Sequence, residues 1–108
     1  MTAETPEPLR GFIEAVNDGD TDAFLSYFPD DGLVDDWGRK FRGHDAIRDW
    51  SDKEFVGAEG TLTVNEVTVS GSEITVDGHW ASSHFTGPSR FVFRVDGETV
   101  REMRITDG

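Results

Sequence analysis

Two adjacent carboxylates, Asp35 and Asp36, and three histidines, His44, His79 and His84, are the residues of this chain best suited to moving protons. In an extended segment neighbours point to opposite faces, so only one of Asp35 and Asp36 can enter a given pocket. Asp36 shares its face with Val34. On an apolar pocket face it would be a carboxylate of raised pKa, suited to general acid or base work. The plainer reading is a solvated turn carboxylate in an acidic chain. His79 and His84 have opposite parity on one predicted strand, while His44 stands at a predicted helix start and is expected to be exposed. No H-x-x-x-H or H-x-H spacing occurs and the carboxylates are scattered, so no metal site is expected. Ser82-Ser83 lies close to His84 without a nucleophile elbow, and Gly57 to Gly60 lacks a phosphate-loop pattern.

The elements that must position these groups follow from periodicity. Leu9, Phe12, Ile13 and Val16 form one apolar helical face, with Thr5 as a cap and Pro6 in the first turn. Gly19 ends that helix, and Asp20 caps a second one over about Thr21 to Phe28. After the Asp30-Asp31-Gly32 turn, Leu33 and Val34 start a short strand running into Asp35, Asp36 and Trp37. Gly38 to Arg42 returns as a second short strand or irregular arm. Gly43-His44-Asp45 opens a third helix carrying Ala46, Ile47 and Trp50, which frays near Ser51 to Gly57. Four segments rich in Val, Thr, Ile and Phe then predict strands at Thr61–Ser70, Glu73–Phe85, Arg90–Val95 and Thr99–Thr106. Gly71-Ser72 and Asp96-Gly97-Glu98 are hairpin turns, and Gly87-Pro88 is expected to be the third connection. The apolar phase switches near Asn65, which predicts a β-bulge and a curled sheet. The fold class is α+β, three helices with a small β arm packed on one face of a four-strand antiparallel meander. The other face is mixed in polarity, suited to solvent or to a second copy.

At 108 residues, residues 1–108 are expected to be one domain with one core and one pocket. Eight Phe, three Trp and one Tyr make up for a modest 35% hydrophobic content. The absence of cysteine excludes a disulfide scaffold, a thiolate metal site and thiol chemistry. A formal net charge of -12 argues against nucleic acid and against anionic membranes. No apolar run approaches the ~20 residues of a membrane span. Met1 to Pro8 carries two Glu and no apolar core, so it is not read as a signal peptide and the expected location is cytoplasmic. Thirteen Asp and eight Arg stand against two Lys. That balance fits a salt-rich host or a high-GC genome. A melting temperature that climbs steeply between low and molar salt would select the first.

The run Phe12-Ile13-Glu14-Ala15-Val16-Asn17-Asp18-Gly19-Asp20, then Ala23-Phe24, Phe28, Asp30-Asp31-Gly32 and Gly43-His44-Asp45-Ala46-Ile47, resembles the nuclear transport factor 2-like superfamily. Within it, the likeness is to the SnoaL-like and ketosteroid-isomerase-like members. It covers the whole chain and is strongest over residues 9–50, and the Asp96-Gly97 turn with Val100 and Met103 fits the family's last hairpin. The resemblance implies a conical α+β barrel with a deep apolar pocket, often dimerised through the outer sheet face. Members include isomerases, cyclases, dehydratases, epoxide hydrolases and non-catalytic modules, so fold does not settle function. Carried over by position, Asp36 matches the isomerase general base, whereas Phe12 and Phe91 stand where its two oxyanion donors would be. Steroid isomerase activity is therefore not expected. His84 resembles a histidine before the Gly-rich turn of SnoaL-like cyclases, which would polarise a carbonyl or shuttle a proton.

The expected pocket is lined by Phe12, Val16, Tyr27, Phe28, Val34, Trp37, Trp50, Phe91, Phe93 and Met103, with Trp37 or Tyr27 donating to a ligand at the mouth. Trp80 is expected in the core or pocket wall. Arg101 shares parity with Met103 and, if buried there, would need a carboxylate such as Asp36, which would lower the Asp36 pKa and weaken it as a base; otherwise Arg101 sits near the open end of the strand. The leading expectation is a cofactor-free isomerase, cyclase or dehydratase acting on a small hydrophobic, cyclic or polyketide-like carbonyl compound through Asp36 and His84. The rival is a non-catalytic ligand-binding or dimerisation module, its pocket closed by Phe12, Phe28, Phe91, Phe93 and Met103. A third reading is an adaptor that binds a peptide on its sheet. A homodimer through the outer sheet face is expected in either of the first two.

Overall fold

The apolar stripe of Leu9, Phe12, Ile13 and Val16 winds into α1, Leu9–Asp18, in a computed structural model that describes residues 8–83 and 86–107. The helix starts at Leu9 with Pro8 as its N-cap and no side-chain cap; Thr5 and Pro6 lie outside the described residues. Gly19 closes it in the left-handed conformation, φ 74°, where glycine is free of steric cost. Asp20 then caps α2 by accepting the Ala23 N–H at 3.1 Å. This second helix, Thr21–Ser26, stops two residues short of the expected Phe28.

β1, Leu33–Asp36, and β2, Arg39–Arg42, form an antiparallel hairpin, and α3, His44–Glu54, follows. His44 is half-buried instead of exposed, because a ring nitrogen bonds the Phe28 carbonyl at 2.8 Å and ties the start of α3 to the end of α2. A single 3-10 turn, Val56–Ala58, leads into the long strands.

These are β3, Thr61–Ser70, β4, Glu73–Ala81, β5, Thr86–Asp96, and β6, Thr99–Asp107. β4 ends four residues before the expected Phe85, and Gly87-Pro88 lies inside β5 instead of forming the connection. Pro88 is tolerated there because it pairs only with His79 of β4, beyond the last β5–β6 pair, Ser89 with Asp107. The expected bulge is present: the β3–β4 register shifts between Val64 and Glu66.

The hairpin is not a detached arm. β1 pairs in parallel with β6, giving one six-stranded mixed sheet in the order β2-β1-β6-β5-β4-β3. The three helices pack on its inner face, so the class is α+β. Asn17 of α1 secures that packing by accepting from the Leu62 N–H at 2.7 Å and donating to the Leu62 carbonyl at 3.1 Å. Phe12, Phe24, Phe91, Phe93, Ile47, Met103 and Val34 are fully buried between the layers. Each such side chain contributes about 1.5–3 kcal/mol on burial. Among the described residues, no helix is long and apolar enough to cross a membrane.

Candidate functional site

The site begins at the β1–β2 turn. Asp36 and Arg39 are register partners, joined through Trp37 at φ 56° and Gly38 at φ 90°. Two consecutive positive φ values make the tight turn that matches strand twist, and a bulky Trp at the first is costly. Asp35 offsets part of that cost, its Oδ1 accepting the Gly38 N–H at 2.8 Å. Asp35 thus serves the turn, and Asp36 lies on the face of Val34, which is fully buried. On its other side Asp36 is in register with Ile105 of β6, whose carbonyl accepts the Trp37 N–H at 3.2 Å.

The second contribution comes from α3, where Trp50 and Glu54 share one face at i, i+4. The Trp50 indole N–H donates to Asp36 Oδ2 at 3.0 Å. Arg39 donates to the same Oδ2, and grips Glu54 with two bonds, Nη1 to Oε2 at 3.0 Å and Nη2 to Oε1 at 2.7 Å. Hydrogen bonding to Glu54 is the main cause that holds the Arg39 guanidinium still further above the arginine range, with a smaller contribution from Asp36 and some opposition from desolvation. Asp36 and Glu54 keep 14% and 20% of their side chains exposed, against 52% for Arg39, so the two acids are sheltered and the cation forms the rim. The guanidinium carbon also lies 5.7 Å from the centroid of the Phe41 ring.

Behind this triad is a cavity of about 230 Å³, lined by Asp36, Trp37, Arg39, Trp50, Glu54, Phe55, Trp80, Ser89, Phe91 and Ile105. Its wall is a ladder of near-parallel rings. Trp50 and Phe55 are 4.9 Å apart at 21°, and Phe55 and Trp80 are 4.5 Å apart at 14°. A Cβ at Gly60 would lie 1.9 Å from Trp80 Cζ2, so the bare glycine is what lets the indole lie there. Ser89 adds a buried hydroxyl whose contact with the Gly87 carbonyl, 3.5 Å, is long for an O–H···O bond. The chemistry on offer is a flat apolar slot with a charged acid–base rim, where Asp36 Oδ2 accepts two hydrogen bonds.

Of the residues expected at the site, Asp36, Trp37, Trp50 and Phe91 lie together on this cavity. Phe12, Val16, Phe28, Val34, Phe93 and Met103 do not line it; they are buried in the core, where Phe12 meets Tyr27, Phe28 and Phe93 edge to face. Tyr27 is half-buried against Phe12 and Gly11, away from the cavity. His84 lies outside the described residues. His79 is exposed, paired in register with Thr63 and Pro88. Arg101 is not on the pocket side and does not meet Asp36; it is 57% exposed and 3.7 Å from Asp96. Its parity misled because β6 carries a bulge there: Arg94 pairs with Glu102 and Val95 with Val100, leaving Arg101 unpaired. Arg39, Glu54, Phe55, Ser89 and Ile105 were missed. The usable signal for Arg39 was its place opposite Asp36 across a two-residue turn, and for Glu54 its spacing from Trp50.

The architecture recurs widely among solved structures. A Catenulispora acidiphila protein with a ketosteroid isomerase-like fold, in complex with trimethylamine, is 19% identical at a TM-score of 0.81, over 95% of this chain and 86% of that one. The epoxide hydrolase/cyclase-like enzyme SalBIII, with a role in pyran ring formation in the polyether salinomycin, is 19% identical at 0.82, over 93% and 87%. A cystatin fold protein from Novosphingobium aromaticivorans is 15% identical at 0.76, over 91% and 93%. At these identities the likeness is one of fold. No curated protein matches the chain. The sequence family described as SnoaL-like domain matches residues 9–108, and the chain belongs to it.

Proposed function

We propose that the chain binds a small, flat, hydrophobic carbonyl compound in the aromatic slot and moves a proton on it through Asp36, without a cofactor. The observation that carries this reading is a sheltered carboxylate at the edge of a ring-walled cavity. Oδ2 of Asp36 accepts from the Arg39 guanidinium and the Trp50 indole, which fixes the carboxylate, and Oδ1 accepts no hydrogen bond from the described residues and is left to meet a substrate proton. The volume of about 230 Å³ lies below the ~300–1,000 Å³ of ordinary ligand pockets, which favours a one- or two-ring compound over a fused four-ring one. The polyketide-like substrate class is supported by family membership and by the cyclase-like relative SalBIII. In this proposal His84 is the second proton carrier.

The test is exchange of the α-protons of 1-tetralone in deuterated buffer, followed by NMR. Exchange above the buffer rate that is lost in Asp36→Asn, with the fold intact, supports the proposal, and His84→Asn reports on the second carrier. Exchange unchanged by Asp36→Asn removes it. Binding with no exchange selects the second reading, a non-catalytic ligand-binding module. That reading is favoured by the absence of a tyrosine or acid at Phe12 and Phe91, the positions of the family's oxyanion donors.

We also propose a homodimer through the outer sheet face. The outward row Lys40–Asp35–Arg104–Val92–Thr75 alternates charge and ends in small apolar and hydroxyl groups, which suits self-complementary pairing. Sedimentation at micromolar concentration should give twice the 12.0 kDa chain mass; the chain mass itself would remove this proposal.

A further inference from the structure

We propose that a recess on the outward face of the sheet, framed by Arg42, Arg94 and Arg101, binds a small oxyanion, a phosphate or carboxylate group. This recess shares no lining residue with the aromatic slot, and its row Arg42–Leu33–Glu102–Arg94 lies beside, not in, the row Lys40–Asp35–Arg104–Val92–Thr75 proposed for the dimer. Its volume is about 210 Å³, and Pro29, Asp31, Leu33 and Glu102 complete its walls.

Two features of the backbone gather the three arginines. Arg42, Leu33, Glu102 and Arg94 are successive register partners across β2, β1, β6 and β5, so all four stand on one face. At ~4.8 Å per strand, Arg42 and Arg94 flank a floor made by Leu33 and Glu102. The bulge then adds Arg101: β6 places Arg101 and Glu102 together opposite Arg94, which re-aims a residue that plain alternation would turn toward the core.

The donors are largely uncommitted. The Arg94 side chain makes no hydrogen bond or ion pair with the described residues. Arg42 gives one bond, Nη1 to the Asp31 carbonyl at 3.1 Å, which braces it against the recess. Arg101 reaches only Asp96, at 3.7 Å. Of the two carboxylates in the lining, Glu102 is engaged by Arg104 at 3.5 Å, and Asp31 is exposed. The whole chain carries a net charge of -12, so its overall field repels anions. Three of its eight arginines frame one recess against two carboxylates, so the lining is formally cationic in an acidic chain, and forked guanidinium donors match oxyanion geometry.

The test is an NMR titration of the full chain with inorganic phosphate, and separately with citrate, at ionic strength held constant with sodium chloride. Saturable shifts centred on Leu33, Arg42, Arg94 and Arg101 are expected. Tighter phosphate binding would identify a phosphoryl group as the ligand, and tighter citrate binding a carboxylate. The double variant Arg94→Gln/Arg101→Gln, both positions exposed, should keep its fold and weaken binding about tenfold or more. Shifts that never saturate, that spread over all the arginines, or that persist unchanged in the double variant would overturn the proposal.

Discussion

At the closed end of the interior, Phe12 meets Tyr27, Phe28 and Phe93 at interplanar angles of 78°, 73° and 76°. At the open end, Phe55 lies 21° from Trp50 and 14° from Trp80. Both ends use large aromatic side chains under the same sheet. Edge-to-face rings interlock in three dimensions and leave no space, whereas a parallel stack is a slab whose outer face matches only another flat object. Edge-to-face contacts around Phe12 thus mark the sealed end, and the Trp50–Phe55–Trp80 stack marks the cavity wall.

The largest expected effect tests the sealed end. Phe12→Ala should lose about 3–5 kcal/mol in urea denaturation, with 1-tetralone binding to the surviving folded fraction unaltered. Gained affinity would show that the two ends communicate. Gly60→Ala attacks the slab. Its Cβ would lie 1.9 Å from Trp80 Cζ2, so the indole must move, with a loss of about 1–3 kcal/mol and weakened probe binding followed by tryptophan fluorescence. Retained binding would mean Trp80 is not a wall the ligand feels. Arg39→Gln removes the rim cation; because Arg39 is 52% exposed, solvent screening limits the loss to about 1 kcal/mol in thermal unfolding, and that loss should shrink in molar salt. Trp37→Ala is the smallest. With 61% exposure it should change stability by under ~0.5 kcal/mol yet still alter probe affinity, since Trp37 lines the mouth. No change in affinity would confine the slot to its deeper rings.

The fold was legible because local signals agreed with it: the 3.6-residue stripe of α1, the glycine stop at Gly19, the alternation of Phe91 and Phe93, and the phase switch at Asn65. The place of Asp36 on the face of Val34 was legible for the same reason, since strand parity is local. Strand limits failed where a proline lay beyond the reach of one neighbour, as Pro88 does. Arg101 failed because a bulge opposite Arg94 resets parity with no mark in composition. The expected lining failed at its Phe12 end because burial and cavity facing look alike in a sequence. Phe12 and Phe91 are both 1% exposed, but only Phe91 lines the slot. The grip of Arg39 on Glu54 joins a hairpin to the end of a helix fifteen residues on, and no periodicity reports such a pairing.

The parallel pairing of β1 with β6 sets an order of assembly. Asp36 is held in register by Ile105, about seventy residues later, whereas the hairpins β3–β4 and β4–β5 close over short loops. Closing so long a loop is entropically expensive and gains nothing until the final strand is available. During synthesis the core-forming strands can therefore zip up while the acid that faces the slot is still unmoored. The pocket needs β6 for both its lining residue Ile105 and the register of Asp36, so it is chemically complete only once the last strand is in place.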